Sequence, residues 1–126
     1  MEIRQGVDIV SVQRIREAIE RHGNRFLNRI FTSEEQIYCN TKRTRYEHYA
    51  ARFAAKEAAM KAMEIQRAAR MRFRDIEVRR RSTGQPFLHI TRPMRNLCRL
   101  PSQCQLEVSM AHEREFAVAT VVLTLP

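Results

Sequence analysis

Apolar and polar positions alternate along "GVDIVSV" (6–12), which predicts a strand carrying Asp8 on the face opposite Val7 and Ile9. Ser11 then offers an N-cap. Ile15, Ala18, Ile19, Phe26, Leu27 and Ile30 follow at helical spacing, with Gly23 as an interruption. In "TSEE" (32–35), Thr32 can cap a second short helix while Glu35 reaches back to its amide. "CNTKRTR" (39–45) closes that helix in a basic loop. A third helix is predicted from about Tyr46 to about Arg70, because Ala, Met, Glu, Lys and Arg dominate the segment and neither Gly nor Pro intervenes.

Beyond that helix the pattern changes to strands. "DIEVRR" (75–80), "FLHIT" (87–91), "QLEVSM" (105–110) and "FAVATVVL" (116–123) are β-rich, with a turn at "STGQP" (82–86). "RPMRNLCRLPSQ" (92–103) reads as a surface connection. Strands gathered after helices, rather than alternating with them, predict an α+β fold with a mostly antiparallel sheet. A chain of 126 residues without a repeat or linker fits one domain, 1–126.

The third helix raises a chemical question. Ala50, Ala51, Phe53, Ala54, Ala55, Ala58, Ala59, Ala62 and Met63 spread apolar character around most of it, so Glu57 is expected to be partly buried. A carboxylate removed from water needs a partner, a proton or a metal. One reading pairs Glu57 with Lys61 at i,i+4. Another starts from Asp8, a second carboxylate in the apolar run "VDIV", whose simpler role is to help the helix that follows. If the two carboxylates converge they need a cation between them, and Mg²⁺ takes one or two protein carboxylates together with waters and substrate phosphates. His112, in "SMAHER" (109–114), is expected in a tight turn between β segments. It is either an ordinary turn histidine or a group with access to a site.

Charge and cysteines narrow the picture. Lys plus Arg number 23 against 14 Asp plus Glu, a net +9 that draws in anionic partners such as nucleic acid, acidic proteins or phosphate-rich small molecules. Cys39, Cys98 and Cys104 are odd in number and match neither a zinc nor a disulfide spacing, so reduced thiols are expected. "MEIRQGVDIV" lacks the apolar run of a secretory signal, and nowhere do about 18 apolar residues stand together, so a cytoplasmic location is expected. Arg14, Arg21 and Arg25 form a stripe on the first helical segment if it continues through Gly23.

The runs "GVDIVSVQRI", "RIFTSEEQ", "YAARFAAKEAAMKA", "FRDIEVRRRSTGQPFL" and "VSMAHEREFAVATVVL", in that order from Gly6 to Leu123, resemble the holo-[acyl carrier protein] synthase family of 4′-phosphopantetheinyl transferases. The resemblance implies Mg²⁺-dependent transfer of the phosphopantetheine arm of coenzyme A to a serine of an apo acyl carrier protein, in fatty acid biosynthesis, with release of 3′,5′-ADP. It also implies a small α+β homotrimer with active sites at subunit interfaces. Carried over by motif, Asp8 and Glu57 would be metal ligands, and Lys61 would meet a phosphate oxygen. Arg45, Arg52 and His112 would hold the phosphates and the adenylate end of coenzyme A, with Arg43 nearly as good a match as Arg45. In the same resemblance the stripe of Arg14, Arg21 and Arg25 would dock the acidic carrier protein.

One departure stands out. Where the family carries a Gly-rich turn after the helix, this chain reads "KAMEIQRAARMRF" (61–73), which predicts a longer helix or a different turn. Arg67, Arg70 and Arg72 either replace backbone amides as phosphate contacts or form a solvated basic face. Two rival readings remain. A basic nucleic-acid-binding module fits the charge and "VRRRSTG" (78–84), but lacks a recognised motif or an aromatic platform. A non-catalytic homologue that binds carrier protein or coenzyme A fits the missing glycines.

Overall fold

The computed structural model describes residues 1–65 and 72–126. Strand β1 (Glu2–Ser11) leads into helices α1 (Val12–His22) and α2 (Asn24–Ile30), then α3 (Ser33–Asn40) and the long α4 (Arg45–Ala62). A 3₁₀ turn (Phe73–Asp75) precedes the hairpin of β2 (Ile76–Arg80) and β3 (Pro86–Ile90); α5 (Arg92–Leu97), β4 (Gln105–His112) and β5 (Phe116–Leu125) complete the chain. β1, β5 and β4 form an antiparallel sheet in that order, and β2 pairs with β3 in a second one. The α+β expectation therefore holds, with the N-terminal strand placed on an edge beside the C-terminal one.

Helix α4 is the centre of both core clusters. Ala54, Ala55, Ala58, Ala59 and Ala62 pack with Val108, Ala119, Val121 and Leu123 of the sheet, while Ala50 and Ala51 pack with Ile15, Ile30, Phe31 and Tyr49. Short side chains let the helix lie close to the sheet, and Gly6 shows how close. A Cβ built on Gly6 would stand 1.9 Å from the carbonyl oxygen of Ala58 and 2.9 Å from the nitrogen of Ala62. Only glycine fits there, and this contact sets Asp8, two residues on and on the same face, against α4.

Several boundaries differ from the sequence expectation, each for a local reason. Gly23 does break the first helical segment: at φ 57° and ψ −133° it leaves helical geometry, and its N–H bonds to the Ile19 carbonyl at 2.7 Å to close α1. Arg14 and Arg21 on α1 therefore do not share one continuous helix with Arg25 on α2. The capping box forms as expected, with the Thr32 hydroxyl accepting from the Glu35 N–H and Glu35 accepting from the Thr32 N–H. α4 ends at Ala62, well short of Arg70, because Met63 closes the helix and Glu64 turns to φ 56°. Arg67 and Arg70 lie outside the described residues, while Arg72 pairs with Asp75.

The segment 92–103 is more than a surface connection. Thr91 caps α5, its hydroxyl accepting from the Met94 N–H, and Pro93 sits in the first turn where its missing N–H costs nothing. Met94 is buried in the main core. The signal was present as a cap followed by a proline, but the helix is only six residues long.

Candidate active site

Asp8 and Glu57 approach each other across the β1–α4 contact. Glu57 is half-buried, and its carboxyl is raised above the usual range, first by burial and then by the negative charge of Asp8, with Lys61 opposing. Glu57 has no hydrogen-bond or ion-pair partner among the described residues. The i,i+4 pairing with Lys61 is not made: the Lys61 ammonium donates instead to the Val7 carbonyl at 2.8 Å and to Asp8 Oδ1 at 3.2 Å. The close approach at Gly6 presents β1 to Lys61, which explains the choice. Asp8 accordingly has a cation, supplied by α4, and among the described residues Glu57 has none.

A groove of about 370 Å³ opens beside the two carboxylates, with Arg14, Phe26 and Phe53 among its lining. Of the arginine stripe, Arg14 reaches this groove; Arg21 and Arg25 are exposed elsewhere on α1 and α2.

The remaining candidates lie along the N-terminal half of α4. His112 is the last residue of β4 rather than part of the turn, because its register with Ala117 extends the β4–β5 ladder two residues beyond Met110. Its Nδ1 lies 2.9 Å from Glu47 Oε1. Arg45 is exposed and stacks over Tyr46, 4.8 Å from the ring centroid. Arg43 borders a cavity of about 650 Å³, which Arg16, Tyr46 and Arg114 also line. That cavity is larger than the carboxylate groove but holds neither carboxylate, so size alone does not mark the chemistry.

Arg52 is only 2 % exposed, its guanidinium 4.1 Å from the Tyr38 ring centroid. Its Nη1 donates to the His48 carbonyl at 3.4 Å, and its Nε is buried without a partner. Lys42 and Arg80 face the same ring at 4.7 and 5.2 Å. A buried guanidinium with an unsatisfied N–H, flanked by two further cations, suits an anionic ligand. Tyr38, Glu47 and His48 were not singled out in the sequence, since the contact joining Glu47 to His112 spans 65 residues and no local pattern announces it.

Glu47 and Glu57 are ten residues apart on α4, about 15 Å along the helix axis at 1.5 Å per residue. Within one chain Asp8, Glu57 and Lys61 lie toward the C-terminal end of α4, Arg45 and the Glu47–His112 contact at its N-terminal end, and Arg52 midway between them.

Known proteins of the same architecture are close at hand. A holo-[acyl-carrier-protein] synthase of Halothermothrix orenii is 41 % identical over 117 residues, covering 93 % of this chain and 93 % of its own. The protein of the same name from Koribacter versatilis is 40 % identical over 118 residues, covering 94 % of each. Among solved structures, Helicobacter pylori holo-[acyl-carrier-protein] synthase in complex with coenzyme A superposes with a TM-score of 0.82 at 28 % identity, over 95 % of this chain and 99 % of that one. The ACPS–CoA complex from Chronobacterium ammoniagenes gives 0.86 at 27 % identity, over 100 % and 99 %. Residues 4–121 match the family described as the 4′-phosphopantetheinyl transferase superfamily, and the chain belongs to it.

Proposed function

We infer that this chain is a holo-[acyl carrier protein] synthase: it transfers the 4′-phosphopantetheine group of coenzyme A to a serine of an apo acyl carrier protein and releases 3′,5′-ADP. The observation that carries the reading to the chemistry is the Asp8–Glu57 pair, in which one carboxylate holds a lysine and the other has no partner among the described residues. Such a pair is short of positive charge, and the donor set fits Mg²⁺, a hard cation satisfied by carboxylates, waters and phosphate oxygens. When bound, the ion would neutralise and orient the pyrophosphate of coenzyme A.

In the transfer, the serine oxygen bonds to the β-phosphorus, the bond from that phosphorus to the ADP oxygen breaks, and the serine proton is released. The chain's own residues position the groups and offset their charge. Lys61, one turn beyond Glu57, can pass its ammonium from Asp8 to a phosphate oxygen. Arg52, with its spare N–H, along with Arg45 and His112, would hold the phosphates and the adenylate end.

The separation of Asp8, Glu57 and Lys61 from Arg45 and His112 along α4 supports a homotrimer whose sites are completed across subunits. The sheet face away from α4 supports it too: Ile3, Val7 and Ile9 are 56 %, 56 % and 66 % exposed, and an apolar sheet face of this kind calls for a covering partner. Other copies of the same chain are that partner. No described helix is long and apolar enough to cross a membrane, and a cytoplasmic role in fatty acid biosynthesis fits the reaction.

Mass spectrometry of an apo acyl carrier protein incubated with the chain, coenzyme A and Mg²⁺ tests the transfer. A gain of about 340 Da on the carrier is expected; tight duplex binding with no gain would favour a nucleic-acid module instead. Mixing Asp8→Ala with His112→Ala chains tests the shared site. Activity above either parent after subunit exchange is expected, and its absence would argue for sites within single chains.

A further inference from the structure

His112 has one ring nitrogen committed and one free. An ionised carboxylate only accepts hydrogen bonds, so the 2.9 Å contact with Glu47 Oε1 places a proton on Nδ1 and leaves Nε2 for another partner. Nε2 has no hydrogen-bond partner among the described residues.

The ring is also held from its side. His48 packs against it with centroids 4.7 Å apart and planes at 59°, and Tyr38 meets His48 edge-on at 5.8 Å. The His48 carbonyl accepts from buried Arg52, tying this stack to the residue with the unsatisfied N–H. Burial, followed by the positive charge of His112, Arg52 and Lys42, pushes the His48 imidazole down to about 4, against a smaller opposing pull from Glu47. At neutral pH His48 is an uncharged surface that does not repel His112. A hydrogen bond that fixes one nitrogen of a ligand-binding histidine is the usual way a neighbouring carboxylate sets the orientation of the other.

We propose that Glu47 is a positioning residue for the transfer: it holds the Nδ1–H of His112 against the His48 ring and so aims Nε2, which, carrying the ring's second proton, donates to an anionic group of coenzyme A. This rests on the reading of His112 as a coenzyme A contact. The role assigned to Glu47, which also lines the cavity beside Arg43 and Tyr46, is exerted through His112.

Steady-state kinetics with coenzyme A, Mg²⁺ and apo carrier protein separate positioning from a general loss of structure. Glu47→Ala is expected to raise the coenzyme A KM about tenfold, the loss of one charge-assisted hydrogen bond, with kcat changed less than about twofold. Glu47→Gln keeps an acceptor oxygen in place and should recover most of that loss, and it serves as the test if the alanine variant fails to fold. In a His112→Ala background, Glu47→Ala should change the KM no further, because the two act as a unit. The His112 ring-nitrogen NMR signals of the free protein should show the Nδ1–H form in the wild type and a mixture in Glu47→Ala.

An equal rise in KM with and without His112, or His112 signals unmoved by Glu47→Ala, would overturn the positioning role. A normal KM in Glu47→Ala beside a raised KM in His112→Ala would overturn it as well, while leaving His112 a coenzyme A contact. A normal KM in His112→Ala would overturn both.

Discussion

Lys56 and Glu57 are neighbours on α4 and meet opposite circumstances. The Lys56 ammonium is fully buried and lies 2.8 Å from Glu35 Oε1, and it donates also to the carbonyls of Phe73 and Ile76, so its three N–H donors have three partners. Glu35 in turn accepts from the Thr32 N–H at 2.9 Å and the Val78 N–H at 2.7 Å. A rotation of about 100° per residue moves the next side chain from that layer to the β1 side, where Glu57 has no partner among the described residues. The chain fully satisfies the charge that ties α3, α4 and β2 together, and leaves short the one that faces a groove. A saturated buried ion pair indicates architecture, and an unsaturated carboxylate pair leaves room for a ligand.

Breaking the saturated pair should have the largest effect on stability. Lys56→Met leaves Glu35 buried without its cation and is expected to cost about 3–5 kcal/mol in urea unfolding. A loss below about 1 kcal/mol would mean that water or another cation reaches Glu35, and the contrast with Glu57 would disappear. Gly6→Ala attacks the contact that sets up the other region. Its Cβ overlaps the Ala58 carbonyl, so β1 must move away from α4 at a cost of about 1–3 kcal/mol. Asp8 moves with the strand, and turnover should fall by more than the loss of folded protein explains. Retained specific activity would show that the Asp8–Glu57 approach does not depend on Gly6.

Glu57→Gln should produce the reverse pattern. The raised Glu57 carboxyl means that its charged form is penalised in the folded state, most of all by burial and then by Asp8. Removing that charge should leave the unfolding midpoint unchanged or slightly higher, a change within about 0.5 kcal/mol. Turnover should nonetheless drop by about 100-fold or more, since a developing charge loses its compensation. Near-normal activity at limiting Mg²⁺ would remove Glu57 from the ligand set.

How much of this was legible before the structure depends on how local each signal is. The period-two run of β1, the Thr32–Glu35 capping box and the alanine-rich burial of α4 each rest on residues within one or two turns of one another, and each is found. The end of α4 was misjudged because propensity alone favours continuation through "QRAAR", whereas Met63 and Glu64 end the helix. At the site, Asp8 and Glu57 were marked by an electrostatic anomaly readable in their own segments. The pairing of Lys61 with Asp8 was not, since Lys61 reaches Asp8 only through a strand–helix contact that Gly6 permits. The Glu35–Lys56 pair and the Glu47–His112 pair were hidden for the same reason: each partner looks ordinary in its own helix or strand, and only tertiary packing joins them.

His48 offers a third way to bury a titratable group, by remaining neutral, and it predicts the smallest effect. Its imidazole falls from an ordinary 6.5 to about 4 on folding, because burial and the nearby positive charges of His112, Arg52 and Lys42 oppose protonation. The unfolded chain therefore takes up a proton near pH 6.5 that the folded chain refuses until about pH 4. By linkage, the stability associated with a neutral His48 is fully present above about pH 6.5, declines as the pH falls, and is lost once the folded pKa is passed. His48→Phe keeps a ring against His112 and Tyr38 but has no proton to take up. The carboxylates of the chain titrate in both proteins, so the difference between their urea midpoints isolates His48. That difference should move in favour of the phenylalanine variant as the pH is lowered from 7 to 5. Parallel curves over this range would mean that His48 accepts its proton as readily folded as unfolded, and that the stack against His112 is open to water.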